Sequence, residues 1–196
     1  MKYNATLKLL GVVYSSMTKG KNITKTEMKE IKKEYKDIMV RAKDIGSDNT
    51  LLTSYSLAAW FIAMNRKDSL NAENNIAILE KGLKESKLVK MFLGDSKGYF
   101  SDKKMAWRRD WSKKTHEKKY ENDWVVDVLE KSPDYEFGLD YTECGVCKLC
   151  NDEGCPELAK YLCSLDYMLV ELIGIKLNRT KTLAEGYDKC DFRFLA

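Results

Sequence analysis

Three kinds of side chain in the last third of the sequence can do chemistry: thiols, a carboxylate and guanidiniums. All six cysteines lie after residue 143, and Cys144, Cys147, Cys150 and Cys155 are separated by gaps of two, two and four residues. Thiolates two residues apart can turn inward onto zinc or an iron–sulfur cluster, so these four form a candidate metal site. The match to known patterns is partial. A zinc ribbon takes its second pair of cysteines from a distant turn, and the bacterial ferredoxin run reaches its Cys-Pro after three residues, whereas four precede Cys155-Pro156 here. Without a metal the same residues are plain thiols.

The remaining cysteines, Cys163 and Cys190, accompany charged residues. Pro156 suits the first position of a helix running to Ile173, with Gly174 in the place of a C-terminal cap. At 100° per residue Leu158, Leu162, Leu165, Leu169 and Leu172 form one stripe, and Ala159, Cys163, Asp166, Val170 and Ile173 the adjoining one. Asp166 is therefore expected to face the interior, where a carboxylate must be paired, hydrogen-bonded or protonated. Arg179 and Arg193 are its candidate partners, in a structural ion pair or a chemical one. Cys163, one turn earlier, is predicted to share its pocket. A carboxylate raises the pKa of a neighbouring thiol, so an activated nucleophile there also needs a cation.

The elements that position these residues read as α+β: a helical N-terminal half packed on a small C-terminal antiparallel sheet with one long helix. Residues 1–131 form the helical region and 132–196 the cysteine-rich α/β region, together one compact domain. Met28, Ile31, Tyr35, Ile38, Met39 and Ala42 mark an amphipathic helix ending near Gly46, residues 51–64 an apolar one, and Ile76 to Phe92 a third closed by Gly94. Residues 101–131 carry Trp107, Trp111 and Trp124 among dense charges, in a pattern compatible with a helix of thin apolar face. At Ser132-Pro133 the period changes. Tyr135, Phe137, Leu139 and Tyr141 alternate as in a half-buried strand, which puts Cys144 on the polar side unless Gly138 introduces a bulge. Residues 175–183 and 190–194 are further strands.

Charge and hydropathy exclude several classes. The net charge is +4, and residues 97–119 hold nine basic and three acidic residues, so this one stretch carries the whole excess. Interleaved tryptophans can stack on single-stranded nucleic acid, but no recognised module accompanies them, and the expectation is a charged helix anchored by its tryptophans. His116, the only histidine, sits exposed among lysines and founds no His-dependent triad. The longest uncharged run, residues 49–65, is too short and polar for a membrane span. A lysine-rich chain of this size without a convincing signal peptide is expected in a reducing, cytoplasmic setting.

The C-terminal residues resemble a known family. Glu143-Cys144, Gly154 with Pro156-Glu157-Leu158, Leu162-Cys163 followed by Asp166, Asn178-Arg179-Thr180, Thr182-Leu183-Ala184 with Gly186, and Cys190-Asp191-Phe192-Arg193 are similar to the L-2-amino-thiazoline-4-carboxylic acid hydrolases, closely over residues 135–195 and loosely before. The ending, a glycine followed by Cys-Asp-Phe, is more distantly similar to the 4-vinyl reductase domain, a small-molecule-binding module. The first resemblance implies hydrolytic opening of a cyclic amidine-like thiazoline to a carbamoyl cysteine. It implies Cys163 or Cys190 as nucleophile or metal ligand, Asp166 as base, Arg179 as clamp for the substrate carboxylate with Arg193 beside it, and Asp191 and Cys144 completing the pocket or a metal site. Cys147, Cys150 and Cys155 lie outside the family pattern. The second resemblance implies a sensor that binds a small molecule or a metal without turnover, its N-terminal helices making partner or homodimer contacts.

Overall fold

The computed structural model describes all residues from Met1 to Ala196. The fold is α+β, with nine α-helices and one four-stranded antiparallel sheet. The chain divides into two units, each assembled from separated segments. The first comprises Met1–Glu85, Tyr120–Asn122 and Gly145–Leu162, and the second Ser86–Lys119, Asp123–Cys144 and Cys163–Ala196. This division does not follow the 131/132 boundary, because helical periodicity does not reveal which core a helix joins. No helix is long and apolar enough to cross a membrane.

The first unit is helical: α1 (Ala5–Thr18), α2 (Lys25–Arg41), α3 (Leu52–Lys67), α4 (Ala72–Glu85) and α8 (Gly145–Asp152). Thr24 and Glu27 close a capping box on α2, each side chain bonding the other's backbone N–H, which fixes where the helix starts. The expected stripe from Met28 to Met39 is buried, and α3, apolar on nearly all sides, buries Tyr55, Trp60, Phe61, Ile62 and Met64. Such a helix can only be the centre of a core. Tyr35, from α2, donates its hydroxyl hydrogen bond to the Leu7 carbonyl at 3.0 Å and lies 2.6 Å from Ser56 Oγ. The segment from Ile76 to Phe92 is two helices, α4 and then α5 (Lys87–Leu93), because Ser86 caps the second through the Val89 N–H.

The cysteine run after Cys144 lies largely on the helix α8. It ends in a Schellman turn: Gly154 N–H bonds the Asn151 carbonyl and Cys155 N–H the Cys150 carbonyl, with Gly154 at φ +70°. The left-handed residue is the glycine, as steric cost requires.

The second unit holds α5, α6 (Ser96–Tyr99), α7 (Asp102–Thr115), the four strands and most of α9 (Ala159–Glu171). The strands are β1 (Val125–Leu129), β2 (Phe137–Glu143), β3 (Lys176–Asn178) and β4 (Cys190–Leu195), in the order β1-β2-β4-β3. A strand at 125–129 lies within the charged stretch read as helix-compatible. Trp124-Val125-Val126 bury there, and the turn through Pro133, with Ser132 N–H bonded to the Tyr135 carbonyl, joins β1 to β2. The strand expected over residues 175–183 is short, Lys176–Asn178, and a 3₁₀ turn at Leu183–Glu185 follows it.

Candidate active site

The register of the sheet sorts the chemically active side chains by face. Phe137 pairs with Phe194, Leu139 with Phe192 and Tyr141 with Cys190, so these six share one face, while Gly138–Arg193 and Asp140–Asp191 pairs alternate onto the other. Phe137, Tyr141, Phe192 and Phe194 make contiguous ring contacts on the first face, joined by Tyr99 from α6. The pairing of β1 with β2 passes from Val126↔Tyr141 to Val125↔Glu143, leaving Thr142 as an extra residue. This bulge, at Thr142 and not at Gly138, reverses the alternation beyond it and returns Cys144 to the aromatic face. The expectation that Cys144 points to the polar side is thereby corrected.

Asp166 and Arg179 meet over this aromatic face. Arg179 Nη1 donates to Asp166 Oδ2 at 2.7 Å and Nη2 donates to the Cys163 carbonyl at 2.8 Å. The guanidinium lies over the rings of Phe192, at 4.7 Å, and Tyr167, at 4.9 Å. The Arg179 side chain is 3% exposed and that of Asp166 39%. The carboxylate is thus enclosed by protein yet reachable. Burial pushes the pKa of Asp166 up to about 6 against the lowering pull of the Arg179 charge and hydrogen bond, near where a general acid–base group works best at neutral pH.

Three thiols surround this pair. Burial raises the pKa of Cys163 steeply, the Asp166 charge adds to it, and Arg179 only partly opposes. Burial likewise lifts Cys190 to about 11, although its sulfur accepts the Leu183 N–H at 3.2 Å. Cys144 is close enough for its charge state to act on both. Cys163 and Cys190 are therefore neutral thiols at neutral pH.

The other expected site residues lie elsewhere. Asp191 Oδ1 accepts the backbone N–H groups of Thr180 at 2.9 Å and Lys181 at 2.6 Å, and its Oδ2 accepts the Thr180 hydroxyl at 2.6 Å. It faces away from Asp166 and acts by anchoring the residue next to Arg179. Arg193 donates to Asp140 Oδ1 at 2.7 Å, with Lys189 on Oδ2 at 2.5 Å. Strand alternation puts it on the far face, so of the two candidate partners only Arg179 reaches Asp166.

Cys147, Cys150 and Cys155 fall in the first unit, with Cys144 in the second, and no three His, Cys, Asp or Glu side chains converge as metal ligands. The run that suggested zinc or an iron–sulfur cluster is the product of α8 and its cap. Cys150 and Cys155 occupy the two positions that a Schellman turn brings into contact. A hydrogen bond from Cys150 lowers the pKa of Cys155, helped by the charge of Arg66 and opposed by burial.

The model of one protein family, described as L-2-amino-thiazoline-4-carboxylic acid hydrolase, matches residues 57–194. The chain belongs to that family. No curated protein and no solved structure matches it. The hydrolase match spans the strands, α9, all the side chains around Asp166, and also α7, well beyond the C-terminal segment that carried the resemblance in sequence. It also covers a buried arginine on this aromatic face that the sequence reading passed over. Arg108, in the basic stretch, is 5% exposed, with its guanidinium 4.4 Å above the Tyr99 ring and 4.2 Å above that of Phe137. Its sequence signal was the spacing of Met105, Arg108, Ser112 and Thr115 on one side of a helix, obscured by the lysines between.

Proposed function

We propose that this chain is a hydrolase opening a cyclic amidine of the 2-amino-thiazoline-4-carboxylate type to a carbamoyl cysteine. The observation that carries the reading is the Asp166–Arg179 pair, a reachable carboxylate poised near neutrality inside the span matched by the family. Water adds to the ring carbon between nitrogen and sulfur, and the carbon–sulfur bond breaks. The water oxygen becomes the carbonyl of the carbamoyl group, and its two hydrogens end on the ring nitrogen and the sulfur.

Asp166, about tenfold more ionised than protonated at pH 7 given a pKa of about 6, takes a proton from the attacking water and returns one to the departing sulfur. Arg179 is a positioning residue: with its Nη atoms on Asp166 and the Cys163 carbonyl, it sets the carboxylate's orientation and holds it anionic. Cys163 and Cys190 serve as neutral S–H groups beside the developing thiolate, not as nucleophiles. Moving a proton from Cys190, at about 11, to Asp166, at about 6, is unfavourable by about five powers of ten.

The test is ring opening of the thiazoline followed by mass spectrometry with Asp166→Asn. The expected loss is about 10²- to 10⁴-fold in kcat. Unchanged turnover in a folded variant removes Asp166 from the mechanism.

A further inference from the structure

Arg108 is a buried cation for which the chain supplies no counter-charge. Of the six arginines in the sequence, Arg41, Arg66, Arg109, Arg179 and Arg193 each pair with a carboxylate. Arg108 instead has its Nη1 on the Tyr99 carbonyl at 2.8 Å and 3.5 Å from Met105 Sδ. Ring faces and one carbonyl offset only part of the cost of burying a full charge. The location is not the accident of a loose helix. Ser112 Oγ donates to the Val126 carbonyl at 2.7 Å and Val126 N–H donates to Thr115 Oγ1 at 3.1 Å, which locks the same side of α7 to β1.

We propose that Arg108 is the docking point for the carboxylate of the ligand. No carboxylate of the chain reaches Nε and Nη2, the fork that grips a carboxylate with two parallel bonds, and the other polar group beside the guanidinium is the Tyr99 phenol. Arg109, the next residue, makes that grip on Glu130 with Nε at 2.6 Å and Nη2 at 2.7 Å. Arg179, first expected in this role, has both Nη atoms occupied by Asp166 and Cys163. Arg108 also belongs to the same aromatic face. The phenol of Tyr99 senses the charges of both Arg108 and Asp166, and Tyr141 is near both as well. A small ring can thus present its carboxylate to one end of the face and its reacting carbon to the other.

The identity of the ligand rests on the hydrolase reading; the site for a carboxylate does not. The test measures Tm of the wild type, Arg108→Met and Arg108→Lys with thiazolidine-4-carboxylate and with thiazolidine, which lacks the carboxylate. The wild type is expected to rise in Tm with the first compound only. Arg108→Met, relieved of an unpaired charge, is expected to match or exceed the wild-type Tm without ligand and to lose the ligand-induced rise. Arg108→Lys should raise KM for the thiazoline about 10- to 100-fold, with kcat little changed. A ligand-free Tm of Arg108→Met well below wild type makes Arg108 a structural cation and overturns the proposal. So does an undiminished ligand shift in that variant, an unchanged KM in Arg108→Lys, or no carboxylate-dependent shift in the wild type. A wild type that binds the carboxylate through Arg108 but leaves the thiazoline intact would sink the hydrolase reading and keep this one.

Discussion

Replacing Arg179 by glutamine should move the acid limb of the pH–rate profile upward without abolishing activity. Asp166 must be ionised to accept a proton, so kcat/KM in the wild type rises with pH through a midpoint of about 6. Burial alone would place that midpoint higher, since Arg179 contributes the only lowering influences, its charge and its hydrogen bond. Two unit charges about 4 Å apart attract by about 4 kcal/mol at an effective dielectric of 20, which caps the loss at about three pH units. The Asp166 side chain is 39% exposed, and water screens the pair, so the expected rise is about one to two pH units. The substituted amide can still donate one hydrogen bond, which keeps the carboxylate oriented. At pH 7 the Arg179→Gln variant should therefore be slowed about two- to tenfold, by protonation of Asp166, and should recover most of its rate at pH 9. The assay is initial-rate ring opening from pH 5 to 10. A limb that stays at the wild-type midpoint while the plateau falls would refute the assignment of that limb to Asp166. Full activity at pH 7 would refute the coupling itself.

Asp191→Ala should cost about 1–3 kcal/mol, through loss of the hydrogen bonds to two backbone N–H groups and the Thr180 hydroxyl, read as a lower Tm. Those bonds hold the pKa of Asp191 below its ordinary value despite opposing burial. The stabilisation is therefore complete above the unfolded pKa and disappears as pH falls through the folded one, so the Tm gap should close in strong acid. Among the thiols, Cys155 should be alkylated by iodoacetamide before Cys190 at pH 7.5, as peptide mass mapping would show; equal rates would contradict the opposite directions of their shifts. Gly82→Ala should destabilise by about 1–3 kcal/mol in urea unfolding, because the new Cβ would stand 2.8 Å from Met17 Cβ and 2.9 Å from the Met17 carbonyl oxygen.

What could be read in advance divides by the kind of physics involved. Helix positions such as Met28, Ile31 and Tyr35 were legible because an amphipathic stripe is local, and the inward placement of Asp166 followed from the same arithmetic over one helix. The strand at 125–129 was not, since Trp124, Val125 and Val126 are a short buried run after a long charged one, and a strand gains its hydrogen bonds from a partner remote in sequence. Cys144 depended on Thr142, an extra residue visible only once β1 and β2 are paired. The C-x₂-C-x₂-C-x₄-C run was ambiguous for a different reason. Spacing constrains how sulfurs can converge but not whether they do, and here the last gap encodes a helix cap through Gly154.

Arg108 shows what a reading based on composition misses. Charge counts treat every guanidinium in residues 97–119 alike, and Arg108 and Arg109 are adjacent, yet 100° of helical rotation separates a solvent-exposed ion pair from a buried cation. The first is balanced within the chain by Glu130. The second is balanced by nothing in the chain, an arrangement that costs stability unless a ligand supplies the anion. Asp166 has the complementary property: its carboxylate is held ionised only against its burial, by Arg179, which itself lies over the rings of Tyr167 and Phe192. Two charged groups at odds with their surroundings, on the same aromatic face, are what a site for a small zwitterionic or anionic ring requires. Asp166 is legible from the phase of its helix alone; Arg108 is apparent only once the sheet register and the helix phase have been fixed together.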